Sequence, residues 1–239
     1  MAQLKKTNVS LTHFSSFADT NTEYVSASFP ALQGTAAMSV LCSFVSSFKE
    51  YGEFGDILGD VASFDTVLAL SYAYFPEPSL AVGANLKGFY SKLYVYDKLG
   101  FAVDAGAFFI LGKDPYTRAG IAVQNIGSQT AYIEVSDPLP ANVKAGLSAK
   151  FDIAGVGNLL FAVDVNRLIV KDELPTLELG AEAELYEIIA IRLGYGLRHD
   201  AAGLSMGLGV LLEKLRFSYA FQPFDCLGTA HRITVDLEL

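Results

Sequence analysis

The residues most suggestive of chemistry lie near the end of the chain. Gly203-Leu204-Ser205-Met206-Gly207 matches the G-x-S-x-G pattern of a serine nucleophile, and Asp225 and His231 follow in hydrolase order. That pattern works where a strand turns sharply into a helix, because the turn lifts the hydroxyl toward its base. Here Leu204, Met206, Leu208 and Val210 continue one apolar face with a period of two, so Ser205 belongs in mid-strand. Asp225 and His231 also follow too closely to be separate elements of such a fold. With 21 glycines in the chain, a chance match is cheap. The expectation is no catalytic residue and no enzyme.

Metal chemistry has little to stand on. His13, His199 and His231 are scattered, and Cys42 and Cys226 fit no metal-ligand spacing, so two unpaired thiols are expected. His199 sits beside Asp200 in an expected turn, as a solvated surface histidine would. No metal and no cofactor are expected.

A third group is more informative. Glu178, Glu182 and Glu184 occupy one face of Thr176–Leu185, opposite Leu177, Leu179, Ala181, Ala183 and Leu185. As a helix the segment would scatter its glutamates around the cylinder; as a strand it sorts them. Arg192, Arg216 and Arg232 fall on the polar faces of three later segments with the same alternation: 188–198, 214–223 and 229–239. Opposite charges on neighbouring strands pair and brace a wall, and the same groups could form a polar path for a solute's charged head. These six residues are the candidate lumen or substrate-path site.

The alternation runs through most of the chain. It places strands near 5–16, 21–31, 35–48, 64–75, 79–95, 99–112, 116–126, 141–152, 157–168, 175–186, 188–198, 203–212, 214–223 and 229–239. Period alone cannot separate a sandwich, apolar inside, from a membrane barrel, apolar outside. Three features favour the barrel. The polar face is rich in Gly, Ala and Ser, as a crowded lumen requires. Tyr72, Tyr74, Phe75, Tyr94, Tyr96, Tyr186, Tyr219 and Phe221 cluster near strand ends, like aromatic girdles. The connections alternate as well. Longer ones (49–63, 127–140, 169–174) fall at odd positions, and tight ones, at Leu32-Gln33-Gly34, Pro76-Glu77-Pro78, Glu187 and Glu213, at even positions. The expectation is an all-β, transmembrane, antiparallel barrel of about fourteen strands, with residues 1–239 as a single domain.

Composition agrees. Only 18% of residues are charged and 51% are apolar, which suits an exterior that need not face water. The net charge is −9 with no basic run beyond Lys5-Lys6, so nucleic acid is excluded as a partner. No 18-residue uncharged apolar run supports a transmembrane helix, and Met1–Asn8 lacks the apolar core of an export signal.

The closing run Tyr219-Ala220-Phe221-Gln222-Pro223-Phe224-Asp225-Cys226-Leu227-Gly228-Thr229-Ala230-His231-Arg232 resembles the last hairpin of the PorV/PorQ-type outer-membrane barrels. So do Gln124-Asn125-Ile126-Gly127, Asp137-Pro138-Leu139-Pro140, Asp164 with Asn166, Gly180 with Glu182, and Arg192-Leu193-Gly194-Tyr195, which occur in the family's order. Phe17-Ala18-Asp19-Thr20 and Tyr24 resemble its first hairpin more weakly. The resemblance implies a fourteen-stranded barrel similar to the FadL long-chain fatty-acid transporters. One branch serves type IX secretion and carries cargo proteins; another, an uncharacterised spirochaete family, is regarded as FadL-like. The implied function is passive uptake of hydrophobic solutes such as a long-chain fatty acid, and the alternative is a type IX secretion shuttle. The implied partners are outer-membrane lipid, the hydrophobic solute and, in the alternative, secreted cargo proteins. The implied location is the bacterial outer membrane. Members carry a signal peptide and an Asn-Pro-Ala plug segment before the first strand. Met1 leads almost directly into the first expected strand, which implies a truncated or miscalled start and a barrel lacking its plug.

Overall fold

A computed structural model describes residues 6–17, 19–129, 131, 138–170, 173–198 and 203–239, with the side chains of 46–48, 60 and 226 left aside. Fourteen strands follow one another along the chain: β1 (Asn8–Ser15), β2 (Thr20–Ala31), β3 (Gly34–Tyr51), β4 (Ile57–Glu77), β5 (Leu80–Leu93), β6 (Tyr96–Lys113), β7 (Tyr116–Gln129), β8 (Asn142–Ile153), β9 (Gly157–Leu168), β10 (Thr176–Leu185), β11 (Ile189–Leu197), β12 (Leu204–Leu212), β13 (Leu215–Phe224) and β14 (Gly228–Glu238). Each pairs antiparallel with its sequence neighbours, and β1 pairs with β14, which closes the cylinder. Closure pairs both edges of each strand within the wall, so no row of backbone donors and acceptors is left there to find a partner.

The barrel is inside-out relative to a water-soluble protein. Among the described residues, the only buried apolar side chains are four alanines, Ala81, Ala102, Ala190 and Ala230. The large apolar side chains are exposed instead, including Leu11, Met38, Leu68, Leu86, Phe101, Ile121, Phe161, Leu193 and Leu208. Alternate residues along each strand send these outward and Ser, Gly, Ala and charged groups inward. Each large side chain that leaves water for hydrocarbon contributes roughly 1.5–3 kcal/mol, so the exterior suits a bilayer.

The expected rhythm of connections is present. The even-numbered connections have two or three residues, whereas the longest, between β7 and β8, β9 and β10, and β11 and β12, are odd-numbered. Leu32, Tyr186, Glu187 and Glu213 take positive φ in the short turns, the geometry that matches a hairpin's twist. The two ends are called below the short-turn end and the long-loop end.

Several expected boundaries differ. Residues 49–51 and 57–63 are strand rather than loop, because β3 and β4 continue to pair through Lys49↔Asp60 and Glu50↔Gly59; only 52–56 connect them. At 18 and 21 residues these two strands outrun the 9 to 12 of β8 through β14. A ribbon standing clear of the wall has no buried face, so its sequence need not alternate. Strand β7 also runs to Gln129, past the expected end at 126, and Pro76-Glu77 lies within β4, which moves that turn to Pro78-Ser79. Of the expected girdle, Phe75 meets Phe108 edge-on at 5.7 Å, and Phe108 lines the lumen.

Candidate functional site in the lumen

The lumen is built by register. Glu182 lies opposite Arg192, and Arg192 Nε donates to Glu182 Oε2 at 2.5 Å. The arginine then continues along the wall, reaching Ser218 Oγ on β13 at 3.4 Å. Gly207 and Gly209 on the intervening β12 make this possible: a Cβ at 209 would lie 3.1 Å from Arg192 Nη1, and one at 207 would lie 3.4 Å from Arg192 Cβ. The last glycine of the G-x-S-x-G segment, with Gly209 beyond it, therefore forms a trough for an arginine.

The other expected site residues are placed less tightly. Arg232 lies 5.0 Å from the centre of the Phe14 ring, a cation–π contact. Glu184 lies opposite Asn158 in register. Arg216 faces Asp236 in register and shares a crevice with Glu184 and Arg192. Glu178 lies opposite Asp164. Arg192 and Arg232 line one hollow of about 310 Å³ with Ser205, while Glu178 lines another of about 530 Å³.

Ser205 faces these two hollows, but His231 does not. His231 Nδ1 is 2.8 Å from Tyr219 Oη and its Nε2 is 3.0 Å from Thr229 Oγ1, with the Tyr219 and Phe221 rings against it on the outward face. Serine and histidine lie on opposite sides of the wall and cannot exchange a proton. His199 lies outside the described residues. Among the described residues no group of three or more His, Cys, Asp or Glu could hold a metal. Cys42 is a free thiol, 3.8 Å from Thr66 Oγ1; the Cys226 side chain is outside the description.

Two features escaped the sequence reading. The first is a polar knot on β5, β6 and β7. Asp104, only 5% exposed, accepts from Lys87 Nζ at 2.6 Å, Asn85 Nδ2 at 3.1 Å and the Asn125 backbone N–H at 2.8 Å. Asn125 sits at a β-bulge with φ of 60°, takes a second bond from Lys87 at 2.9 Å, and donates to the Pro140 carbonyl at 3.2 Å. The extra residue aims the Asn125 amide inward, which the ideal pleat would not do. Gln124-Asn125, at the end of an expected strand, and Leu139-Pro140, in the expected 127–140 connection, line a hollow of about 690 Å³ with Tyr24, Leu41 and Phe89. A regular alternating pattern carries no mark of a bulge, so only the Asn-Ile-Gly sequence hinted at it.

The second is a hollow of about 640 Å³ toward the short-turn end, floored by Gly83, Gly106, Gly120, Gly146 and several alanines, with Arg118, Lys144 and Asp164 around it. Small residues that alternate with the outward apolar ones create this volume. The charges on β7 and β8 were not singled out because they stand alone among glycines and alanines.

This architecture defines a closed, fourteen-stranded barrel with an apolar exterior and a polar, partly hollow lumen. No family model and no curated protein matches the sequence. Among solved structures the barrel is similar to CymD, a monoaromatic hydrocarbon channel, at 14% identity over 99% of this chain and 88% of that one, with a TM-score of 0.60. It is also similar to the toluene transporter TodX of Pseudomonas putida, at 11% identity over 97% and 87%, TM-score 0.59. A third is the outer-membrane protein Omp33 of Acinetobacter baumannii, at 11% identity over the whole of both chains, TM-score 0.55. At such identities the likeness establishes the fold.

Proposed function

We propose that this chain is a FadL-like outer-membrane channel for passive uptake of hydrophobic or amphipathic solutes. The observation that carries the reading is the pairing of an apolar outside with lumen hollows whose floors are glycine, alanine and a few aromatic rings. Such surfaces accept an apolar body, and a few fixed polar groups orient it. Similarity to channels described as carrying monoaromatic hydrocarbons and toluene supports the class. The finer reading is a long-chain fatty acid, with burial of the acyl chain contributing about 0.8 kcal/mol per CH₂. Glu178, Glu182, Glu184, Arg192, Arg216 and Arg232 would form the polar side of its path, with Glu182 and Arg192 also acting as a brace. A labelled long-chain fatty acid should bind the refolded barrel saturably, and non-saturable uptake equal to protein-free vesicles would sink the proposal.

One observation favours a second reading, the secretion shuttle that handles cargo proteins. The β3–β4 ribbon stands beyond its neighbours and exposes Tyr51, Phe54, Ile57 and Leu58, Phe54 by 93%. Apolar side chains on a projecting ribbon suit contact with another protein. Shortening the ribbon to the level of Val45 and Ser63 should abolish co-purification of surface proteins; unchanged co-purification would end this reading.

A further inference from the structure

The 690 Å³ hollow is distinguished by the groups that it leaves open. Its charged side chains are already engaged: Lys87 with Asp104 at 2.6 Å, Asp65 with the Ser91 hydroxyl, and Lys98 is likewise not free. The groups left over are uncharged. Tyr24, Ser39, Ser71 and Gln124 line the hollow, and among the described residues their side chains form no hydrogen bond. Three hydroxyls and one amide offer both donors and acceptors and carry no charge.

Phe89 adds an apolar surface. It faces Gly100 in register, and a Cβ there would collide with the far edge of its ring. The glycine lets the ring lie along the wall instead of projecting across the hollow. The same strands then lead to a second hollow. Ser71, Asn85 and Asp104 of β4, β5 and β6 border the first, and Ala73, Gly83 and Gly106, two residues nearer the short turns, border the 640 Å³ hollow. On β4–β6 that second hollow presents Ala73, Ala81, Gly83, Gly106 and Phe108; its charges, Arg118, Lys144 and Asp164, stand on β7, β8 and β9. An uncharged strip therefore runs down the wall from the polar hollow.

We infer that the 690 Å³ hollow is a binding station for a neutral polyhydroxylated head, such as a sugar ring, carried on an alkyl chain. The head's hydroxyls bond to Tyr24, Ser39, Ser71 and Gln124, its C–H face rests against Phe89, and the chain follows the β4–β6 strip. Sugar hydroxyls donate as well as accept, so they match an open set of uncharged groups. Among the described residues, a carboxylate would meet no unpaired cation here and a quaternary ammonium no unpaired anion. The volume lies within the roughly 300–1,000 Å³ of small-molecule sites. The inference rests on the uptake reading and adds a head chemistry to it.

The test uses octyl glucoside, kept below its micelle concentration, with octanol, octanoate and glucose. Each is dialysed to equilibrium against the barrel held in an amphipathic polymer, with the polymer alone as background. Octyl glucoside should bind about tenfold more tightly than octanol, the gain expected from one or two added hydrogen bonds. Glucose, which has no chain to bury, should bind at least about tenfold more weakly than octyl glucoside. Tyr24→Phe and Gln124→Leu nearly keep the side-chain volume; each should lower octyl glucoside affinity about threefold. Together they should erase its advantage over octanol and leave octanoate binding as it was. Heat-dependent gel mobility confirms that each variant is folded. Equal affinity for octyl glucoside and octanol overturns the inference and leaves the uptake reading standing. So does glucose binding as tightly as octyl glucoside, or a double variant that keeps the preference or loses octanoate as well. Saturable binding of none of the eight-carbon probes overturns both.

Discussion

On the β5–β7 flank, Asp104 is nearly enclosed and accepts three hydrogen bonds, one of them from a backbone amide turned inward by a bulge. On the β10–β13 flank, the Glu182 and Arg192 side chains keep about a third of their surface exposed and run along an unbroken ladder. Both flanks pair a base with an acid, but by different means. The first bends the backbone to serve the charge. The second keeps the backbone regular and clears a path for the side chain with glycines. The first should therefore be fragile and specific, and the second tolerant.

The largest effect expected is from Asp104→Ala. It strands the Lys87 ammonium beside Asn125 and should cost about 3 kcal/mol, the scale of breaking an enclosed ion pair. Urea unfolding of the barrel in lipid vesicles measures it. If the double variant with Lys87→Met is no more stable, the loss is not that of a stranded charge.

Alanine scanning of glycine separates the flanks next. A Cβ at 127 would overlap the Phe101 carbonyl oxygen and the Ala102 backbone, whereas nothing lies within 4 Å of one at 180. Gly127→Ala should cost about 2 kcal/mol, and Gly180→Ala should stay within about 0.5 kcal/mol of neutral. Equal losses would erase the contrast. Smaller again is the coupling between Glu182 and Arg192. A double-mutant cycle with Gln at each position should return about 1 kcal/mol, shrinking as salt rises.

The smallest effect is a titration outside the wall. The Glu50 carboxylate beside Tyr94, in the β5–β6 turn, raises the phenol above its usual value near 10, chiefly through a hydrogen bond. A raised folded value means that the contact stabilises the fold below about pH 10 and is lost as pH rises through the higher value. Ultraviolet titration of tyrosinate should show one late-ionising tyrosine that Glu50→Gln moves earlier.

These contrasts also mark how far the chain can be read without coordinates. The strand over Thr176–Leu185 was legible to within one residue at each end, because one face lines a polar lumen and the other meets an apolar surround. Glu182 facing Arg192 follows from two such strands and a short turn. The knot does not follow, since Asp104 and Asn125 meet only because the pairing slips between Val103 and Ala105. Nor does the ribbon beyond Val45, where Lys49-Glu50-Tyr51-Gly52 reads as loop because no environment divides its two faces. Alternation reports surroundings; where the surroundings are the same on both sides, it falls silent.

The seam between β1 and β14 has a consequence for how the molecule is assembled. Asn8 pairs with Glu238 and Ser15 with His231, and the seam finishes with Lys6 on Glu238 and the Leu239 amide on the Thr7 carbonyl. These partners are almost as far apart in sequence as the chain allows, so this pairing carries the greatest chain-closure entropy and should form late. Until it forms, the first strand waits with one edge open, where another chain could add to it. At eight residues β1 is the shortest strand of the barrel, which keeps that waiting edge small.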